Sequence, residues 1–264
     1  MTSVVMWAGV DTRGPASLYI ASDSRISWGT HSIWDQGRKV FACISQPHIF
    51  GYWGDVIFPA LAIPLIVDRI DRGILISKNG LWHDEVQRAI RRLWSNYPKT
   101  PRKDFGIAHG FRVGEGLKCI FSIEILTYEH TSDTWVTLKV PMPGSSAVLR
   151  VAGSGIPQIR QALRLWQASR AANTSRAVFS AFCESIAGKG DPLTGGPPQL
   201  CGLYRIGSGR LFGVVYNNQR YFAGAALTAT ENPDEIEWRN RLFERIDGRT
   251  KRRIPGAQRH TERP

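Results

Sequence analysis

No stretch of this sequence approaches the ~18 consecutive apolar residues from which a membrane-spanning helix is built, so a membrane partner is not expected. Cysteine is scarce: Cys43, Cys119, Cys183 and Cys201 stand far apart, without the paired spacing of a metal site. No export signal opens the chain, because Asp11 and Arg13 interrupt its apolar start. The four thiols therefore read as reduced core residues, and the expected compartment is the cytoplasm. Acid is also in short supply. The 264 residues carry 22 Asp and Glu against 34 Lys and Arg, a net charge of +12. That excess invites a nucleic-acid reading, but no recognised RNA- or DNA-binding motif accompanies it. From Asp247 to Pro264 six basic residues face two acidic ones, so this end alone supplies +4. It reads as a basic, flexible tail behind a single domain over residues 1–246, and nucleic acid is not an expected partner.

What remains is ordinary globular material, 42% hydrophobic and 21% charged. Alternating apolar residues predict paired strands over 3–10 and 17–23, and a second hairpin over 38–44 and 47–52. Helices are expected over 56–71, with Pro64 as a kink, and over 84–95, with Asp84 as cap and Pro98 and Pro101 beyond its end. Strand patterning returns over 104–112, 117–127 and 133–140. Helical spacing follows from Ile156 and again over 175–187, then strands at 200–206, 211–216 and 219–223. Asn232-Pro233-Asp234-Glu235 has the acids and proline of a helix start, which predicts a last helix to Ile246. No linker or internal repeat divides the chain.

Chemistry is concentrated at the beginning. Thr2 follows Met1 directly, and a Met before a small residue is normally trimmed. Mature Thr2 would then carry a free α-amine beside its own hydroxyl, and that amine can take the hydroxyl's proton. Its pKa of roughly 7.7 to 8 leaves a useful neutral fraction at physiological pH. Asp23, in Ala21-Ser22-Asp23-Ser24-Arg25, and Lys39 are the charges that could tune it.

This start resembles the proteasome β-subunit family of N-terminal nucleophile (Ntn) hydrolases, in which a Lys follows the Asp by sixteen residues. It looks most like the bacterial branch, the Anbu proteins and the peptidase subunit of the two-component ATP-dependent protease. The gap from Thr2 to Asp23 is longer than usual by about five residues, which fall at the expected turn over 11–17, where insertion is cheap. Three further stretches follow in the family's order. Gly51-Tyr52-Trp53-Gly54-Asp55 matches a Gly-x-x-Gly-Asp whose first Gly, here Gly51, would supply the oxyanion N–H; on its own it also reads as a strand-to-helix turn capped by Asp55. Gly153-Ser154-Gly155 matches a turn whose Ser, here Ser154, would hydrogen-bond the catalytic amine. Asp191-Pro192-Leu193-Thr194-Gly195-Gly196 matches Asp-x-x-Ser-Gly-Gly with Thr194 in the place of Ser, although a Gly-rich turn capped by Asp191 would look the same.

The resemblance implies an α+β fold, a four-layer α-β-β-α sandwich, and a threonine endopeptidase that needs no metal or cofactor. It implies a peptide or unfolded-protein substrate, a homo-oligomer in a ring or spiral, and an ATP-dependent unfoldase as a conceivable partner. Trp53 would crowd the substrate pocket. Trp28, Trp34, Trp53 and Trp82 read mostly as core, with subunit contacts as the alternative. Two other readings stay open: an Ntn amidohydrolase acting on a small amide, and a catalytically silent scaffold that uses its basic tail to bind a partner or nucleic acid.

Overall fold

The computed structural model describes residues 2–29, 32–77, 79–99, 102–188 and 190–261. Met1, whose removal the chemistry above requires, and Pro101 lie outside them. Two long strands, β1 (Ser3–Asp11) and β2 (Gly14–Ser22), open the chain and pair along their whole length. The residues beyond the family's usual spacing are not a loop: they lengthen this hairpin, and only Thr12 and Arg13 form its turn. A short hairpin follows, β3 (Ile26–Trp28) and β4 (Ser32–Trp34), which the sequence pattern did not predict. Then come β5 (Val40–Ala42) and β6 (His48–Gly54), and helices α1 (Ile57–Asp71) and α2 (Trp82–Ser95). Strands β7 (Phe105–Val113), β8 (Ile120–Glu129) and β9 (Thr134–Val140) form a meander. Strand β10 (Ala147–Gly153) leads into α3 (Ile156–Gln167) and α4 (Ser175–Ala187). The chain closes with β11 (Gln199–Tyr204), β12 (Arg210–Tyr216), β13 (Gln219–Phe222), β14 (Ala225–Ala226), β15 (Trp238–Asn240) and β16 (Arg245–Ile246).

One sheet runs β5-β6-β7-β8-β9, the other β10-β1-β2-β11-β12-β13-β14 with β15 also paired to β12. Three apolar clusters show how they stack. Phe58, Ile63 and Ile66 of α1 and Ile90 and Trp94 of α2 pack on Phe105, Ile107 and Leu126 of the first sheet. Val4, Met6 and Ile20 meet Val40, Ile49 and Ile123 between the sheets. Val5, Trp7 and Tyr19 meet Ile159, Phe179 and Phe182 of α3 and α4. The order is helices, sheet, sheet, helices, the expected four-layer sandwich. It also explains β1, which is buried from Ser3 to Gly9: alternate residues face two covered surfaces, so the strand carries no polar stripe. Among the described residues no helix is long and apolar enough to cross a membrane.

Residues 232–246 depart from expectation. The acids after Pro233 do not start a helix; Asn232 instead accepts the Asp234 N–H in a local turn. β15 then adds in parallel to the edge of β12, and Trp238 covers Gly213. Asn240 ends that strand by accepting the Leu242 and Glu244 amides. Edge pairing and the burial of Trp238 outweigh a local helical preference worth only tenths of a kcal/mol per residue. The chain then turns back. The Ile254 amide donates to Arg245 O at 3.1 Å, and the His260 amide donates to Glu244 Oε1 at 2.6 Å. Trp28 and Trp34 are exposed, at 61% and 49%, so core burial does not account for them.

Candidate active site

The start of β1 lies between three segments that sequence separates widely: the end of β2, the turn after β10 and the loop before β11. Thr2, Ser3, Asp23 and Lys39 have no exposed surface. Asp23 Oδ1 accepts from Lys39 Nζ and from the Ser3 amide, both at 2.9 Å. Its Oδ2 accepts from the amides of Gly195, at 3.1 Å, and Arg25, at 3.3 Å. One carboxylate thus gathers four donors, one of them charged, and ties Lys39 to the residue after Thr2. Lys39 Nζ also donates to the Arg25 carbonyl. Burial pulls the Lys39 ammonium below the usual lysine value, and the Asp23 charge works against that shift.

The Gly153-Ser154-Gly155 turn has a steric reason. The Ser154 amide donates to the Thr2 carbonyl at 2.9 Å. A Cβ on Gly153, whose φ is +94°, would overlap that same carbonyl oxygen, and a Cβ on Gly155 would strike Ser3 Oγ. The glycines let the turn close directly over the chain's beginning. On the far side Ser3 Oγ and Thr194 Oγ1 are 2.9 Å apart, and Thr194 Oγ1 donates to Asp191 Oδ2, also at 2.9 Å. Burial alone would raise the Asp191 pKa. Nearby Ser154, the Leu193 amide and Thr194 outweigh it and hold the carboxyl below the usual range. Ser154 Oγ, though close, falls outside hydrogen-bond geometry; it and Thr2 Oγ1 are buried without a hydrogen-bond partner among the described residues.

Five of the six other candidate residues therefore gather around Thr2 and Ser3. Gly51 is placed differently. It lies within β6 between Val40 and Ala108, and a Cβ on it would press on Ile20. The Tyr52 amide donates to Lys39 O on the β5 side. Amides alternate along a strand, so that of Gly51 points to β7 and that of Gly54 to the β5 side. There β5 has already ended.

Two further residues contribute, Gln199, which left no motif in the sequence, and Arg25, which closes the Ala21–Arg25 stretch. Gln199, 1% exposed, accepts the Lys39 amide on Oε1 at 3.0 Å and donates from Nε2 to the carbonyls of Asp23 and Gly37. It fixes both segments that carry the charged pair. Arg25 chelates Asp35 at 2.8 and 2.9 Å and reaches the Pro192 carbonyl, joining the β3–β4 hairpin to the Thr194 loop.

Among solved structures the chain is similar to Anbu (a Gly-1 mutant) from Hyphomicrobium sp. strain MC1, with a TM-score of 0.53 and 12% identity, over 80% of this chain and 87% of that one. The fold is that of a proteasome β subunit. Eukaryotic HslV from Trypanosoma brucei is also matched, at a TM-score of 0.47 and 11% identity, over 76% of this chain and 99% of that one. No protein-family profile matches the sequence, and no curated protein does. Within this proteasome-type fold the candidate residues other than Gly51 occupy the start of β1 and the segments that converge on it. The short strands β15 and β16 add to the larger sheet at β12, off the path that ends at β14.

Proposed function

We propose that this protein is a threonine-type peptidase of the Ntn hydrolase kind, with Thr2 as nucleophile after removal of Met1. The observation that carries the reading is the Asp23 carboxylate shared between Lys39 Nζ and the Ser3 amide, which sets a buried cation beside the residue that would bear the free amine. The freed amine accepts the Thr2 hydroxyl proton as Oγ1 attacks the scissile carbonyl. A cation beside it favours its neutral, basic form. Ser154, Asp191 and Thr194 orient the amine from the opposite side. A β6 amide holds the oxyanion: the resemblance gives this role to Gly51, and the alternation of amides leaves the Gly54 N–H as the other candidate. The tetrahedral intermediate collapses as the C–N bond breaks and the α-ammonium gives its proton to the departing peptide amine, leaving the acyl ester on Thr2. The same amine then takes a proton from the attacking water and returns it to Thr2 Oγ1 as the ester is released.

A peptide or unfolded chain is the substrate in this reading, and the working state is a homo-oligomeric ring or spiral in the cytoplasm, fed or not by an ATP-driven unfoldase. Ile57, Leu61 and Leu65 form an exposed apolar stripe along α1, which supports assembly. The test is the intact mass of untagged protein before and after reaction with a peptide epoxyketone, which bonds both a terminal hydroxyl and its free amine. Loss of Met1 and one adduct on Thr2, absent in Thr2→Ala, are expected. Retention of Met1, or an adduct that survives Thr2→Ala, would sink the proposal.

A further inference from the structure

From Thr134 to Cys183 the sequence has no acidic residue, but it has Lys139, Arg150, Arg160, Arg164, Arg170 and Arg176. This stretch runs from β9 through β10 and α3 into α4, and Arg150, Arg160 and Arg164 lie on β10 and α3. β10 is the last strand of its sheet: it pairs with β1 on one side, and among the described residues no strand lies on the other. Its outward amides and carbonyls form an open row, and β10 contains no proline to interrupt it. Beside that edge runs a groove lined by Ala147, Val148 and Leu163, with Arg160 and Arg164 along α3 and Gln167 beyond them. Both arginines are exposed, as is Arg150 on β10 itself, and none of the three has an ion-pair partner among the described residues.

We propose that β10 and α3 form a docking groove for an extended acidic segment of a partner protein. The segment adds to β10 as an outer strand through main-chain hydrogen bonds. Alternate side chains then face the groove, so an apolar residue covers Val148 and Leu163 while carboxylates two residues before and after it meet Arg160 and Arg164. Charge complementarity defines the occupant as acidic. The free strand edge and apolar floor define it as a polypeptide, since a phosphodiester backbone has no use for either. Gly153, at the end of β10, is the ladder partner of Ser3, so the groove leads up to the start of β1. The inference stands on this surface alone and does not depend on the reactivity of Thr2.

The full chain is titrated, by fluorescence anisotropy, into a fluorescein-labelled peptide in which glutamate and valine take turns at every second position with threonine between them, about ten residues long to match a strand and its flanks. Parallel titrations use the same peptide N-methylated at alternate amides, a lysine–valine version and a short DNA duplex. Saturable binding of the acidic peptide is expected, weakened at least about tenfold both by N-methylation and by the double variant Arg160→Glu/Arg164→Glu. Arg170→Glu, a charge reversal outside the groove, should change it less than about threefold. Circular dichroism confirms that the variants are folded. The proposal is overturned by absence of saturable binding, by equal binding of the lysine peptide or by indifference to N-methylation. Duplex DNA that binds more tightly than the peptide and loses its affinity in the double variant would make this a nucleic-acid surface instead.

Discussion

Asp23 and Lys39 are partners, but they do not depend on each other equally. Without Lys39, the Asp23 carboxylate keeps three backbone N–H donors, from Ser3, Gly195 and Arg25. Without the carboxylate, Lys39 Nζ keeps the Arg25 carbonyl. Removing one member of a buried pair costs about 3–5 kcal/mol. Lys39→Met should fall at the lower end of that range and Asp23→Asn at the upper end, because the new amide nitrogen would also face N–H donors. Urea unfolding of the two variants checks the order, and the reverse order would show that the backbone donors contribute little. A second comparison isolates the close approach at Thr2. Gly153 and Gly14 have similar positive φ values, +94° and +102°, but a Cβ meets the Thr2 carbonyl at the first and open space at the second. Gly14→Ala should cost the conformational strain alone, about 1–3 kcal/mol. Gly153→Ala should cost clearly more, since backbone must move, and should displace Thr2 with it. Equal losses would mean that the turn yields freely.

At the scale of elements, a polar pair lies under the start of α2. His48 Nδ1 and His109 Nε2 are 2.9 Å apart on neighbouring strands, stacked with Phe50 and Phe111 and capped by Trp82. His83 lies against Glu124 at 3.3 Å nearby. Burial lowers the His48 pKa to about 4, and burial with the two neighbouring histidines takes His109 well below its ordinary value. The folded form thus holds both rings neutral, while the unfolded chain protonates them near pH 6.5. Stability from His48 is present above about pH 6.5 and is lost as pH falls towards about 4, by up to about 1.4 kcal/mol per pH unit. Denaturation midpoints measured across that range should fall with pH, and His48→Phe should flatten the slope; an unchanged slope would place the titration elsewhere. The sequence shows no sign of this pair, because a histidine acquires such a partner only when β6 and β7 come together. The same reason separates what was legible from what was not. α1 to α4 and the long strands announce themselves by their period, and Asp23, Lys39, Ser154, Asp191 and Thr194 by motif. Gln199 acts through contacts 160 residues or more away in sequence, so nothing local marks it. The β3–β4 hairpin is too short for a period, and β15 was hidden by a helix-like start that tertiary pairing overrode. Gly51 and Gly54 differ in amide direction and in φ, which is positive only at Gly54, and composition gives neither.

For the whole molecule, two surfaces decide whether copies associate and where the domain ends. The α1 stripe of Ile57, Leu61 and Leu65 is 55%, 66% and 39% exposed. If it is an assembly face, Leu61→Glu/Leu65→Glu should lower the mass seen by light scattering without shifting the unfolding midpoint of the subunit; unchanged mass would remove α1 from the interface. At the other end, basic composition favours a free tail, yet the described part of that segment is bonded to the fold. Besides the Ile254 and His260 contacts, the Asp247 amide donates to Arg252 O at 2.8 Å, and Arg249 pairs with Asp234. These bonds brace β16, which in turn pairs with β15 around Trp238. Deleting residues 247–264 should therefore destabilise the chain by about 1–3 kcal/mol, the range of losing several buried or bridging contacts at once. Trypsin should cut slowly at Arg249, Lys251 and Arg252 in the intact protein, because cleavage there requires local opening. Rapid trimming with an unchanged urea midpoint would instead return the boundary to residue 246 and leave the basic segment as a solvated appendage.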